Sequence, residues 1–466
     1  MHDVQQVASG RSRFAFASAR GRVGILLRAT GWLILVFAGF TAGFLFLKYR
    51  ALFRPPSTRL ALNRFYREMP PDERHHYLFL PVDHKDTSRG LFKSFYILSP
   101  SFAKGGPVVF LLTDGQMELV DTQPDFGFFE GILPGFSYVL IGVRGHAPTL
   151  FPEVFRKDGT LNLREAMSLY GSDQQVEDIE EVRADMQRNG YLASDGRILI
   201  FGASGAGILA QQYLSKYGEH VSRAILEVTG APDLSKRNGW HYSRDFADFS
   251  PASSAELSTL PEKAVASRTN LTYLLYQLAR TKEDGKALQL RILQDLREGK
   301  KRVYLEYLLR PQYNLPLARF LLSAPSGAAV KVRWYELTGY DLQHYGEREG
   351  EPTNLLCEFS KDILSNFLAA ARMGEIAPKD FTIERGAFGG EVLVVSGSED
   401  VVFSPQIGRA VAQAYPKGRW ILLQDGHHMQ HNQEYLTALH RAFLIGGFES
   451  EAFGALDRDP RVVEKH

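Results

Sequence analysis

Apolar positions along the chain fall into three patterns, and each predicts a different element. The first is continuous. Residues 29–47 are 19 positions without a charge, rich in Leu, Phe, Val and Ile. As a helix this run would span roughly 28 Å at 1.5 Å per residue, close to the hydrocarbon thickness of a bilayer. It has no polar face, so it predicts a transmembrane helix rather than a buried core helix. The second pattern is short apolar runs at 108–112, 138–141, 197–201, 221–228, 392–395 and 420–423. Their aliphatic and β-branched residues, closed by turns, predict parallel strands buried on both faces. The third has the helical period. Val176, Ile179, Val182 and Met186 share one face of 173–189 with acids opposite, and 208–217, 405–415 and 434–444 read as further helices.

The order of these elements predicts the fold class. Runs at 76–81 and 92–98 flank a polar stretch at 85–90, which predicts an antiparallel hairpin. From 138 to 228 the order is β-α-β-α-β, the signature of a doubly wound sheet. Alternation stops near 232 and resumes at 392. Between them lie helical patterns at 271–278, 288–296 and 303–309. The prediction is an α/β protein: a mostly parallel doubly wound sheet, a helical cap insertion and one N-terminal transmembrane helix. Its divisions are a basic tail (1–28), the span (29–47), a connector (48–75), a core (76–231 and 386–448), a cap (232–385) and a C-terminal tail (449–466). A cap of this kind closes over sites at the carboxyl ends of strands.

Charge refines the membrane expectation. Arg11, Arg13, Arg20, Arg22 and Arg28 precede the span, and Lys48, Arg50, Arg54 and Arg59 follow it. The flanks are mixed, but a long domain can be translocated despite flanking charge. The expectation is an uncleaved single-pass anchor with the larger domain on the non-cytoplasmic side. Gly39 and Gly43 form a GxxxG pair of the kind that supports helix pairing. The remaining composition is ordinary, with 44% hydrophobic and 23% charged residues. A net charge of +1, from 54 basic and 53 acidic residues, gives no electrostatic case for nucleic acid as a partner. Cys357 is the only cysteine, which excludes an intrachain disulfide framework and a cysteine-based metal site. No cofactor and no metal are expected.

The chemistry concentrates at Gly202-Ala203-Ser204-Gly205-Ala206-Gly207, between the run at 197–201 and the helix at 208–217. A serine on a sharp strand-to-helix turn is exposed at the strand's carboxyl end, and small neighbours let the turn form. The Gly205 nitrogen would face the same spot and receive a developing oxyanion. A glycine-rich turn after a strand also fits a dinucleotide-binding loop, with Glu227 near where a ribose-binding acid belongs. The rest of the chain discriminates. A dinucleotide domain would continue β-α-β after 228, whereas this chain enters the helical insertion. A nucleophilic serine needs a base and an orienting acid. Asp400 follows the strand at 392–395, and His427 follows the strand at 420–423, with His428 as the alternative base. The order Ser204, Asp400, His427 is that of an α/β-hydrolase triad.

Residues 138–152, Asp178-Ile179-Glu180, 202–207, 397–405 and Gly426-His427 resemble the α/β-hydrolase superfamily. Within it the chain looks most like the proline iminopeptidase and tripeptidyl aminopeptidase group. The resemblance covers roughly residues 75–445 and implies a Ser-Asp-His hydrolase with a helical cap. Departures are visible. The group's Asp-x-Arg-Gly-x-Gly-x-Ser appears as 142–149, keeping only Arg144 and Gly145, and its His-Gly-Gly-Pro-Gly loop is Asp114-Gly115-Gln116-Met117-Glu118. By matching position, the second oxyanion donor is the backbone nitrogen of Gln116, with Asp114 adding negative charge beside it. Three function classes remain: a peptidase acting on peptide N-termini, an esterase or lipase-like enzyme on apolar acyl esters, and a non-catalytic binding protein. The expected partners are a small-molecule or short-peptide substrate and the bilayer. Cap acids such as Glu336 read as solvated.

Overall fold

A computed structural model describes residues 32, 36–41, 43, 69–146, 150–314, 327–347 and 350–466. Its strands are β1 (His75–Pro81), β2 (Leu91–Leu98), β3 (Val109–Leu111), β4 (Tyr138–Ile141), β5 (Ile198–Ala203), β6 (Val221–Glu227), β7 (Glu391–Gly397), β8 (Gly418–Leu423) and β9 (Val462–Lys465). They form one nine-stranded sheet in the order β1-β2-β4-β3-β5-β6-β7-β8-β9. The hairpin β1–β2 joins the sheet antiparallel to β4, and β3 to β8 are parallel.

The apolar runs are continuous because the parallel strands are covered on both sides. In β5, Ile198 and Ile200 pack with Ile179, Val182 and Tyr213 on one face. Leu199 and Phe201 pack with Leu439 and Phe443 on the other. The two-residue alternation is present, but both faces need apolar side chains.

Helices α1 (Phe126–Ile132), α2 (Leu163–Tyr170), α3 (Ser172–Arg188) and α4 (Gly205–Tyr217) accompany the first strands. After β6 come α5 (Pro232–Asn238), α6 (Phe246–Phe249), α7 (Pro251–Thr259), α8 (Arg268–Thr281), α9 (Gly285–Arg297), α10 (Arg302–Leu308), α11 (Gly327–His344), α12 (Leu355–Ile363) and α13 (Ser365–Arg372). No strand interrupts them among the described residues. These helices share an apolar cluster containing Leu271, Leu275, Leu278, Ile292, Leu293 and Phe359. Helix starts carry the expected caps: Ser267 accepts from Asn270 N at 3.2 Å, and Asn354 accepts from Cys357 N at 3.1 Å. The chain ends with α14 (Pro405–Ala414), α15 (Gln433–Gly446) and α16 (Glu451–Leu456) around β8 and β9.

Two sequence expectations change, and a third lies largely outside the described residues. The 449–466 stretch is not a tail: it forms α16 and β9, and β9 pairs antiparallel with β8. Its strand is four residues with one half-buried and three exposed positions, so it lacks the apolar run that marks a buried strand. Helix α4 begins at Gly205 instead of 208, because the tight turn leads directly into helix. The predicted transmembrane run 29–47 lies outside the described residues except for 32, 36–41 and 43, which are helical and exposed. Among the described residues no helix is long and apolar enough to cross a membrane. The chain divides into two units, residues 1–54 and 55–466, and all nine strands belong to the second.

A buried cation fixes the loop after β4. Arg144 has a side chain that is 0% exposed. Its Nε and Nη2 each donate to Asp178 at 2.6 Å, and Nη1 donates to the carbonyls of Val82 (3.0 Å) and Leu169 (2.9 Å). His84 Nε2 lies 2.8 Å from the same carboxylate. One guanidinium thereby ties β1, the β4 loop, α2 and α3 together. Arg144→Met leaves Asp178 buried with only His84 opposite it. We expect it to cost about 3–5 kcal/mol, read as a lower denaturant midpoint at unchanged slope.

Candidate active site

The local backbone explains why a serine stands at 204. Ser204 has φ 54° and ψ −127°, outside the regions an L-residue prefers. Such a residue stores on the order of 1–3 kcal/mol and persists only where its surroundings enforce it. The enforcement is close packing around three glycines. A Cβ at Gly202 would sit 2.6 Å from the Ala206 carbonyl oxygen, and one at Gly207 would strike Thr229. A Cβ at Gly205 would collide with the side chains of Asp114 and Gln116. The Ser204 nitrogen is held by the Glu227 carbonyl at 2.9 Å, tying the turn to the end of β6. The hydroxyl therefore leaves the sheet at the carboxyl end of β5.

Asp400 and His427 come to the same place from the ends of β7 and β8. His427 Nε2 lies 3.0 Å from Ser204 Oγ. His427 Nδ1 lies 3.0 Å from both oxygens of Asp400. Asp400 is 1% exposed and His427 5%. The carboxylate also accepts from the nitrogens of Val402 (2.7 Å) and Phe403 (3.2 Å), so it does not depend on the imidazole alone. A ring whose Nδ1–H faces a carboxylate presents its Nε2 lone pair to the hydroxyl. His428, the alternative base, makes no hydrogen bond to Ser204, and burial together with Arg280 and His427 lowers its pKa to about 3.

Two side chains that motif reading passed over shape these ends. Arg244, just before α6, donates from Nη1 to the carbonyls of Ser398 and Asp400, both at 2.9 Å. Asp425 is 2% exposed and accepts from the nitrogens of Gly426, His431 and Asn432, folding the loop that carries His427. Asp425 stands next to the motif and has an Asx-turn composition, which is a usable signal. Arg244 has none, because its partners are carbonyls 154 and 156 residues away.

The opposite wall is built by the loop after β3. The Gly205 nitrogen opens α4 and has no carbonyl behind it in the helical ladder. The Gln116 nitrogen is already engaged: it donates to Asp114 Oδ1 at 3.1 Å, while Gln116 Nε2 donates to Asp114 Oδ2 at 2.6 Å. A carboxylate thus rests against Gly205. His146 supports the loop from below. It is fully buried with Nε2 2.9 Å from the Gly115 carbonyl, and burial lowers its pKa to about 4.

Helix α11 packs down on this wall, with Ala329 so near Gly145 that a Cβ there would lie 2.6 Å away. Glu336 on α11 is not solvated. It is 4% exposed, accepts from Ser172 N at 3.1 and 3.0 Å, and receives Arg333 Nη1 at 2.9 Å. Glu227, the residue of the dinucleotide alternative, faces His440 at 3.1 Å. No group of three or more potential metal ligands occurs among the described residues.

A profile of the family described as alpha/beta hydrolase fold matches residues 125–435. None of the curated proteins compared matches the chain. Among solved structures the chain is similar to the esterase EaEST from Exiguobacterium antarcticum, at 16% identity, covering 75% of this chain and 96% of that one with a TM-score of 0.38. It is similar to the enol-lactonase from Burkholderia xenovorans LB400 at 13% identity, covering 76% and 96%, with a TM-score of 0.36. It is also similar to MGS-M2, an alpha/beta hydrolase enzyme from a Medee basin deep-sea metagenome library, at 14% identity, covering 77% and 94%, with a TM-score of 0.38.

The lowered histidines set an acid limit. A histidine whose folded pKa lies below its unfolded value of about 6.5 binds its proton more readily in the unfolded chain. Stability contributed by neutral His146 is therefore present above pH ~6.5 and is lost as pH falls toward its folded pKa of about 4. We expect unfolding free energy to fall between pH ~6.5 and ~4, and His146→Gln to reduce that slope by about one proton, or ~1.4 kcal/mol per pH unit. Denaturant titrations at a series of pH values check it, and an unchanged slope would contradict it.

Proposed function

The chain belongs to the alpha/beta hydrolase fold family, and from that membership we propose that it is a serine hydrolase transferring an acyl group from an ester or amide to water. The observation that carries the reading is the position of His427, with Nε2 3.0 Å from Ser204 Oγ and Nδ1 3.0 Å from Asp400. His427 takes the serine proton as Ser204 attacks a carbonyl carbon. Asp400 holds the ring in the required tautomer and offsets the charge it gains. The tetrahedral oxyanion lies toward the nitrogens of Gly205 and Gln116, each donor worth roughly 3 kcal/mol. The amine or alcohol then leaves with the proton from His427. Water repeats the attack on the acyl-enzyme, with the same ring as base.

Between ester and peptide substrates, one observation favours the ester. Aminopeptidase chemistry needs an anion free to receive an ammonium group, and Glu336 is committed to Arg333 and Ser172. A non-catalytic binding role is the second reading, favoured by the Asp114 carboxylate on the Gln116 nitrogen. For the N-terminus we propose that the uncharged run at 29–47 anchors the protein in a membrane with the hydrolase unit on the non-cytoplasmic side.

A fluorophosphonate probe should label the intact protein and fail to label Ser204→Ala, and Asp400→Asn should reduce ester turnover by about 10⁴-fold. Equal labelling of wild type and Ser204→Ala would remove the hydrolase reading. On a panel of acyl esters and aminoacyl amides, turnover is expected on the esters, and activity confined to the amides would reverse that preference. A C-terminal reporter that functions only after export should be active. A silent export reporter beside an active cytoplasmic one would reverse the orientation.

A further inference from the structure

Arg333 on α11 is a buried cation with unused donors. Its side chain is 2% exposed. Nη1 donates to Glu336 Oε2 at 2.9 Å, while Nε and Nη2 are buried without a hydrogen-bond partner. Buried donors are normally satisfied, because water is not there to replace a missing acceptor. A fitting acceptor stands just out of reach: Asp114 Oδ2 is 3.7 Å from Nε. That carboxylate is instead held by Gln116, through the backbone nitrogen at 3.1 Å and Nε2 at 2.6 Å. It rests against Gly205, the residue after Ser204, as the clash of a Cβ there with Asp114 and Gln116 records.

An anion of the protein's own thereby engages the Gln116 nitrogen and stands against Gly205, the two residues whose nitrogens the proposed reaction would use. The Gln116 nitrogen is engaged by Asp114, and the like charge opposes an oxyanion beside it. Both problems have one solution. If the carboxylate moves about 1 Å toward α11, it reaches the 2.7–2.9 Å distance of a charge-assisted hydrogen bond. Nε and Nη2 of a guanidinium present a planar fork that suits two carboxylate oxygens. Two hydrogen bonds to Gln116 break and two to Arg333 form. No proton moves, and the charges of Asp114, Arg333 and Glu336 are the same before and after. The Gln116 nitrogen is then free for a substrate oxygen, which supplies the acceptor it has lost. A carbonyl substrate binds better to the second arrangement and so selects it.

We propose that Arg333 is a positioning residue that draws Asp114 out of the oxyanion site and so readies Gln116 for catalysis. The inference rests on the serine hydrolase reading. It assigns to the cap helix a part in the chemistry, although Arg333 itself touches no reacting atom.

The test is a comparison in two backgrounds, reading the rate of Ser204 labelling by a fluorophosphonate and kcat and KM on an ester. With Asp114 present, Arg333→Met should slow labelling by roughly 10²-fold, the effect of losing one oxyanion donor, and should act on kcat more than on KM. In Asp114→Ala the site is vacant whether or not Arg333 is present, so adding Arg333→Met should change labelling less than twofold. Arg333→Lys keeps a cation beside Glu336 without the fork; it should fold where Met does not and fall between wild type and Met in rate. Equal slowing by Arg333→Met in both backgrounds, wild-type labelling by Arg333→Met, or full activity of Arg333→Lys would overturn the proposal. Absence of label on wild type itself would instead overturn the hydrolase reading on which it rests.

Discussion

The backbone of Ser204 is the constraint on which the rest of the site depends. Its φ of 54° is a conformation the residue would not choose. It exists because β5, β6, α4 and the loop after β3 approach too closely for anything but glycine at 202, 205 and 207. The apolar layers on the two faces of the sheet supply that pressure. Burial drives the strands and helices together, and the strain is stored where they meet. What results is a hydroxyl held outside the sheet at a fixed height. Asp400 and His427 then need only to follow strands of the same sheet to arrive beside it.

The parts of the fold that read plainly in the sequence are those where one physical demand dominates. Strands covered on both faces must be apolar throughout, so β3 to β8 stand out as short aliphatic runs, and β4 matches its run at 138–141 residue for residue. Long amphipathic helices such as α3 are visible because one face is buried and the other charged. Helix α1 is seven residues, too short for a helical period to emerge, and β9 is mostly exposed, so neither had a signature. The same division runs through the site. Ser204, Asp400 and His427 each follow a readable strand. Arg244 donates to carbonyls far off in sequence, and Arg333 faces Asp114 across the fold although its bond to Glu336 is local; no local pattern encodes the distant pairings.

Charge is handled differently in the two walls. On one side, each buried carboxylate is saturated with donors: Asp400 by two backbone nitrogens and a ring, Asp425 by three nitrogens of its own loop. Saturation of this kind fixes geometry. On the other side, Asp114, Arg333 and Glu336 form a chain in which two donors have no acceptor. That wall keeps donors to spare, and the proposed shift of Asp114 toward Arg333 would use them. Satisfied carboxylates gather around Ser204 and His427, and unmatched donors gather at the wall formed by Asp114 and Arg333.

Arg244 joins the helical insertion to the end of β7. It belongs to the start of the helical insertion, yet its guanidinium grips the backbone of the turn bearing Asp400. The same side chain also donates to the Asp248 carbonyl at 3.1 Å, which ties α6 to that turn. The turn bearing Asp400 is thereby pinned to the first residues of the insertion, and its carboxylate sits 3.0 Å from His427 Nδ1.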